Sequence, residues 1–164
     1  MSTTTDDAAL GFRSPQVCTV VGITYRQLDY WDRTGLLGPS MQAASGSGTQ
    51  RLYTFNDIVT LRVVKRLKDA GTSLNKIRQA FDQLDTEVGP DWRDKDITLL
   101  SDGTSIYAAT SPEEVVDLLQ KGQGVFGIAV RPVLDELRGE IHRLYPDRPD
   151  DLDEHDNLAE ATGI

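Results

Sequence analysis

A chain of 164 residues with 38% hydrophobic residues and a formal charge of -9 has the material for one medium domain or two small ones. No stretch approaches the roughly 20 apolar residues of a membrane-spanning helix, and Met1 to Leu10 is polar and acidic where a secretory leader would be basic and then apolar. A cytoplasmic protein with no membrane partner is expected. The single cysteine, Cys18, excludes an intrachain disulfide framework, and His142 and His155 are too isolated to nominate as metal ligands.

The charge is unevenly distributed. Arg13 to Arg78 holds ten Lys/Arg against four Asp/Glu, a balance of +6, and Asp85 to Ile164 holds seven against nineteen, a balance of -12. A basic module joined to an acidic region fits a nucleic-acid-binding segment with an attached partner region, although an acidic tail also serves solubility alone.

Residues 1–12 carry no apolar period and read as a disordered start. Ser14 as N-cap and Pro15 at the first helical position open a first helix through Val17, Cys18, Val20 and Val21, with Gly22 as its stop. Cys18 reads there as a buried small residue. Thr24 caps a second helix, Tyr25 to about Thr34, in which Leu28 and Trp31 face inward together. Two helices separated by about three residues with a glycine at the join form a helix-turn-helix pattern. Gly35 and Leu37-Gly38-Pro39 end the second helix, and the Ser/Gly/Ala-rich Met41 to Thr49 returns into Arg51-Leu52-Tyr53, the pattern of a wing.

A third helix, capped by Asn56, carries Ile58, Leu61, Val64 and Leu67 on one stripe and Arg62, Lys65, Arg66 and Lys68 on the other side, ending near Ala70-Gly71. Ser73 opens a fourth with Leu74, Ile77, Phe81 and Leu84. The charged residues 85–96, broken by Gly89-Pro90, read as a linker and domain boundary.

Beyond it, Ile97 to Leu100 and Thr104 to Ala108 flank Asp102-Gly103, a hairpin signal. Ser111-Pro112-Glu113-Glu114 starts a helix to Gln120; the paired glutamates have a dipole reason to be there and do not suggest acid-base chemistry. Val125 to Val130 is a short strand, and Pro132 opens a last amphipathic helix with Val133, Leu134, Leu137, Ile141 and Leu144. Residues 146–164 read as an acidic disordered tail, in which Asp147 to Asp156 offers a surface for a basic partner or a competitor for DNA phosphate. The fold class expected is α+β: an N-terminal winged helix-turn-helix, four helices plus a two-stranded wing, over residues 13–84, and a small C-terminal ββαβα module over 97–145.

The functional face is the second helix. Arg26, Asp29, Tyr30 and Arg33 share one stripe opposite Leu28 and Trp31, with Arg26 in the first turn where a guanidinium can take guanine bidentately. Tyr30 and Arg33 are placed to meet phosphates. Gly122-Gln123-Gly124-Val125-Phe126-Gly127 matches a dinucleotide-binding string, but it follows a helix and enters a strand, the reverse of what phosphate binding needs. No nucleophile with a neighbouring base stands out, so neither enzyme activity nor a cofactor is indicated.

Thr24-Tyr25-Arg26-Gln27-Leu28-Asp29-Tyr30-Trp31-Asp32, Gly35-Leu36-Leu37, Pro39, Arg51-Leu52-Tyr53, Asp57-Ile58 and Gly71-Thr72-Ser73-Leu74-Asn75-Lys76-Ile77, in this order and spacing, resemble the DNA-binding domain of the MerR superfamily. The C-terminal half resembles the short actinobacterial regulators with an atypical module, because the long dimerisation helix of typical members is interrupted at Pro90. The resemblance implies a sequence-specific, nucleoid-associated transcriptional regulator that binds an inverted repeat in double-stranded DNA as a homodimer. It also implies RNA polymerase as a further partner at a distorted promoter. It leaves any small-molecule effector and the regulatory sign unnamed. It places Arg26 and Tyr30 on the DNA from the recognition helix and Arg51 and Tyr53 at or beside the wing, with the arginine on the backbone; the full DNA-binding set expected is Ser14, Thr24, Tyr25, Arg26, Gln27, Asp29, Tyr30, Arg33, Arg51 and Tyr53.

Three positions depart from the family pattern: Asp29 stands where arginine is usual, and Thr49-Gln50 where a glycine-tyrosine pair is. Asp29 either accepts from cytosine N4 or holds Arg33 through an i,i+4 pair. The apolar last strand and helix make the C-terminal module a candidate homodimer interface, with an effector or protein-docking role as alternatives. An architectural or segregation protein with little sequence preference, and an interaction adaptor on a winged-helix fold, are the competing readings of the whole chain.

Overall fold

The computed structural model describes residues 11–41, 51–102, 105–120 and 126–148. The expected wing tip, the Gly103 turn, the Gly122–Val125 string and most of the acidic tail lie outside the described residues.

Phe12–Arg13 (β1) leads into Ser14–Val21 (α1). The cap is Arg13, not Ser14: the Arg13 N–H donates to Gln16 Oε1 at 3.0 Å, and Ser14 is the first helical residue, beside Pro15 in the first turn. Gly22 ends α1 at φ 82, a left-handed conformation open to glycine, and donates to the Cys18 carbonyl at 2.9 Å. Cys18 is only partly buried, and burial raises its thiol pKa. Tyr25–Arg33 (α2) follows after three residues, capped by Thr24.

Leu52–Tyr53 (β2) pairs antiparallel with β1, Phe12 opposite Tyr53 and Arg13 opposite Leu52. The return limb of the expected wing therefore takes its ladder from the N-terminal strand, and the Met41 N–H, donating to the Leu52 carbonyl at 3.2 Å, holds the outgoing limb beside it. Phe12, placed by sequence in a disordered start, is fully buried. Its missing apolar period reflects a two-residue strand, too short to show one. Arg148 lies 3.6 Å above the Phe12 ring centroid and donates to the Gly11 carbonyl at 2.9 Å, so the first residues of the expected tail close over β1.

Phe55–Asp69 (α3) is capped by Thr54, two residues ahead of the expected Asn56. The Thr54 hydroxyl accepts from Asp57 N–H at 3.1 Å, and Asp57 Oδ2 accepts from Thr54 N–H at 2.9 Å. The helix buries Val59, Thr60 and Val63 as well as the expected stripe of Ile58, Leu61, Val64 and Leu67. A helix apolar on most of its circumference sits between layers, and α3 packs against α1 on one side and the C-terminal helix on another. Leu74–Glu87 (α4), capped by Ser73, runs a turn past Leu84.

Residues 85–96 are not an open linker. Trp92, in a 3-10 turn at Trp92–Asp94, is fully buried with its ring centroid 5.2 Å from that of Phe81, and its indole N–H donates to Asp85 at 3.0 Å. The charge count hides this anchor, because one aromatic outweighs its neighbours in buried area.

Thr98–Ser101 (β3), Ile106–Ala109 (β4), Pro112–Gln120 (α5), Phe126–Ala129 (β5) and Val130–Leu144 (α6) give the ββαβα order. The sheet is antiparallel with β3 central, Leu99 lying between Ala108 and Ile128. Gly127 sits under Leu100, where a Cβ would approach its side chain to 3.0 Å. The last helix begins two residues before Pro132, which occupies the first turn where its missing N–H costs nothing. Its apolar residues Val130, Val133, Leu134, Leu137 and Ile141 join one core with α1, α3 and α4. The stripe that makes this helix a candidate dimer surface in the sequence is thus satisfied within the chain. Among the described residues, no helix is long and apolar enough to cross a membrane.

Candidate nucleic-acid interface

The α2 helix is held from three sides and open on the fourth. Leu28 and Trp31 are buried against the core. At its start, Thr24 and Gln27 form a reciprocal cap, Gln27 N–H to Thr24 Oγ1 at 3.1 Å and Thr24 N–H to Gln27 Oε1 at 3.1 Å. At its end, Arg78 of α4 donates to the Thr34 carbonyl at 2.6 Å, satisfying an end-of-helix acceptor with a cation.

The open side carries Tyr25 (59% exposed) and Tyr30 (54%), with Arg26 exposed beside them. Arg33, one turn further, has a side chain 75% exposed. Four of the expected contact residues therefore share one accessible face. Thr24 and Gln27 flank it, and Ser14 is half-exposed at the start of α1.

Three expected residues are placed differently. Asp29 is mostly covered: Oδ2 lies 3.0 Å from Arg33 Nε, the i,i+4 pair open to it in the sequence, and Oδ1 accepts from Arg51 Nη2 at 2.7 Å. That hydrogen bond from Arg51, aided by the charge of Arg33, holds the Asp29 carboxyl below its ordinary pKa against the opposing effect of burial. Arg51 is only 13% exposed and also places Nε 2.9 Å from Asp32 Oδ2. It bridges β2 to α2 and is not extended toward a backbone phosphate. Tyr53 is fully buried, so it lies inside the fold and not on the accessible face. Burial raises its phenol pKa, and its hydroxyl has no hydrogen-bond partner among the described residues.

Sequence reasoning missed the bracing roles that set this geometry. Asp57 accepts from the Ser40 N–H at 2.9 Å and the Ser40 hydroxyl at 2.6 Å, fastening the segment after α2 to the start of α3. Its signal was the spacing Thr54-x-x-Asp57. Asp32 is held next to Gly38, where a Cβ would come within 2.6 Å of Asp32 Oδ1. Nothing local to the chain marks Arg78, which acts 44 residues away.

Part of the basic balance is also neutralised internally. Arg62 and Arg66 of α3 meet Glu140 and Glu136 of α6, each at 2.8 Å. Arg26 and Arg33 of α2 remain facing outward, as do Arg13, Lys68 and Lys76 elsewhere in the same basic segment.

A second helix exposing arginine and tyrosine, set three residues after a first helix that buries Val17, Val20 and Val21, and tied to a return strand, is a helix-turn-helix arrangement. Residues 12–84 match the family described as MerR HTH family regulatory protein, and this segment is a MerR-type HTH domain. An uncharacterised HTH-type transcriptional regulator of Mycobacterium tuberculosis is 55% identical over 144 residues, covering 88% of this chain and 63% of the relative. A counterpart in Mycobacterium bovis matches to the same extent. The chain thus spans less than two thirds of the length of these relatives. A heavy metal-dependent transcription regulator of Rhizobium meliloti is 28% identical over 129 residues, covering 79% of this chain and 74% of the relative.

Proposed function

We propose that the protein is a sequence-specific double-stranded DNA-binding transcriptional regulator, acting as a homodimer on an inverted repeat near a promoter. The observation that carries this reading is the accessible face of α2, where Arg26, Tyr30 and Arg33 stand together on a helix whose other side is locked into the core. Arg26, in the first turn, reads a base edge in the major groove. Tyr30 and Arg33 meet phosphates and set the register. The MerR-type HTH domain and relatives named as HTH-type transcriptional regulators support the same reading.

Arg51 and Asp32 serve this function from behind. They fix α2 against β2, so that the reading helix and the base of the wing move as one body. Tyr53 contributes packing to that body.

Genome-wide mapping of sites occupied by the full chain tests the proposal. Discrete peaks that share a palindromic sequence and lie at promoter elements are expected. Coverage that follows DNA content without a shared sequence would instead favour an architectural protein.

A further inference from the structure

We propose that Asp29 sets the ratio of specific to non-specific DNA affinity, by holding the exposed Arg33, which would otherwise bind any phosphate, beside the braced Arg51. The inference rests on the DNA-binding reading above and deepens it. Asp29 lies within the reading stripe, yet each of its oxygens faces a guanidinium: Oδ2 is 3.0 Å from Arg33 Nε and Oδ1 is 2.7 Å from Arg51 Nη2. Asp32 takes the remaining edge of Arg51 at 2.9 Å. Arg33, Asp29, Arg51 and Asp32 thus form a row of alternating charge across α2 and β2. With Arg26 included, the five groups sum to a single positive charge.

Non-specific affinity follows the number of phosphates neutralised, with a salt slope of roughly -0.9 per phosphate. A phosphate that engages Arg33 must compete with a carboxylate already in place, so random sequence gains little from this arginine, and only a site where Arg26 holds α2 in register sets a phosphate where Arg33 can leave Asp29 to meet it. At the correct site, Arg26 supplies base contacts that random DNA cannot supply, and the clamp that restrains Arg33 also keeps α2 in register. Asparagine at position 29 would leave one carbonyl acceptor for two guanidinium donors and turn an amide donor toward the other. That releases the more exposed partner, Arg33.

The test uses the full chain and two duplexes of about 30 base pairs, one of random sequence and one enriched from a random pool by the wild-type protein. Affinities are measured across a salt series for the wild type and for Asp29→Asn. Asp29→Ser, which removes the charge without adding an amide, is measured beside it so that the result does not depend on the folding of one variant. The expected result is random-duplex binding about 5- to 10-fold tighter near 0.1 M salt, a salt slope steeper by about one, and a specificity ratio reduced by at least the same factor. Weaker binding to both duplexes with an unchanged slope would reduce Asp29 to a scaffold residue and overturn the proposal. So would a loss confined to the enriched site with altered preference at one base pair, which would make Asp29 a base reader. A wild type that enriches no sequence and binds neither duplex would overturn the DNA-binding reading itself.

Discussion

The guanidinium of Arg62 meets the carboxylate of Glu140 at 2.8 Å across the packed helices α3 and α6, and one turn further along α3 Arg66 meets Glu136 at the same distance. This two-rung contact joins the MerR-type HTH segment to the C-terminal half. Arg62, only 17% exposed, also donates to the Val21 carbonyl at the end of α1. Replacing Glu140 by alanine leaves a largely covered guanidinium short of its carboxylate. A loss of about 1–2 kcal/mol is expected, read as a drop in urea midpoint with an unchanged m-value. Glu136→Ala, at a more exposed pair, should cost well under 1 kcal/mol.

The Trp92 anchor makes the segment after α4 structural. Trp92→Ala removes a fully buried indole that packs on Phe81 and donates to Asp85, and about 3–5 kcal/mol of stability should go with it. Thermal melting followed at a helical wavelength checks this. A shift of only a degree or two would mean that residues 85–96 behave as the spacer their composition suggests.

Tyr53 gives the chain an alkaline sensitivity of known sign. Burial raises the phenol pKa in the fold, whereas the unfolded chain ionises near the ordinary value of about 10. Above that pH the unfolded state has released a proton that the folded state keeps. Stability therefore falls as pH rises, by up to about 1.4 kcal/mol per pH unit, and is unaffected by this group below pH 10. Tyr53→Phe removes a hydroxyl without a partner among the described residues. The variant should be equal to or slightly more stable than the wild type at neutral pH and visibly more resistant above pH 10 in equilibrium denaturation.

At Gly38 a methyl group would fall 2.6 Å from Asp32 Oδ1, so Gly38→Ala must displace the carboxylate that holds Arg51. Reading-site affinity should drop several-fold, while the helical content seen by circular dichroism stays at the wild-type level. Unchanged affinity would show that the Asp32 contact is dispensable for aiming α2.

Local chemistry made much of this architecture legible in the sequence. The Thr24 cap, the Leu28 and Trp31 pair and the Ser73 cap involve neighbours three or four residues apart, the range over which helix signals act. The Ser111 hydroxyl accepting from Glu114 N–H at 3.2 Å is of the same kind. What sequence could not show are partners chosen by tertiary packing. Arg51 has the composition of a phosphate contact, and only its approach to Asp29 and Asp32, 22 and 19 residues earlier, reveals it as a brace. Phe12, Trp92 and Arg148 lie in segments whose average polarity hides one large anchoring group each. The apolar stripe of α6 was visible, but not that α3 covers it.

Footprinting of the full chain on a genomic fragment bound in cells puts operator recognition by α2 to the test. One protected inverted repeat is expected, with limits that do not move as protein concentration rises, and no protection by Arg26→Ala at the same concentrations. Protection that spreads along the fragment regardless of sequence, or an unchanged footprint in Arg26→Ala, would contradict it.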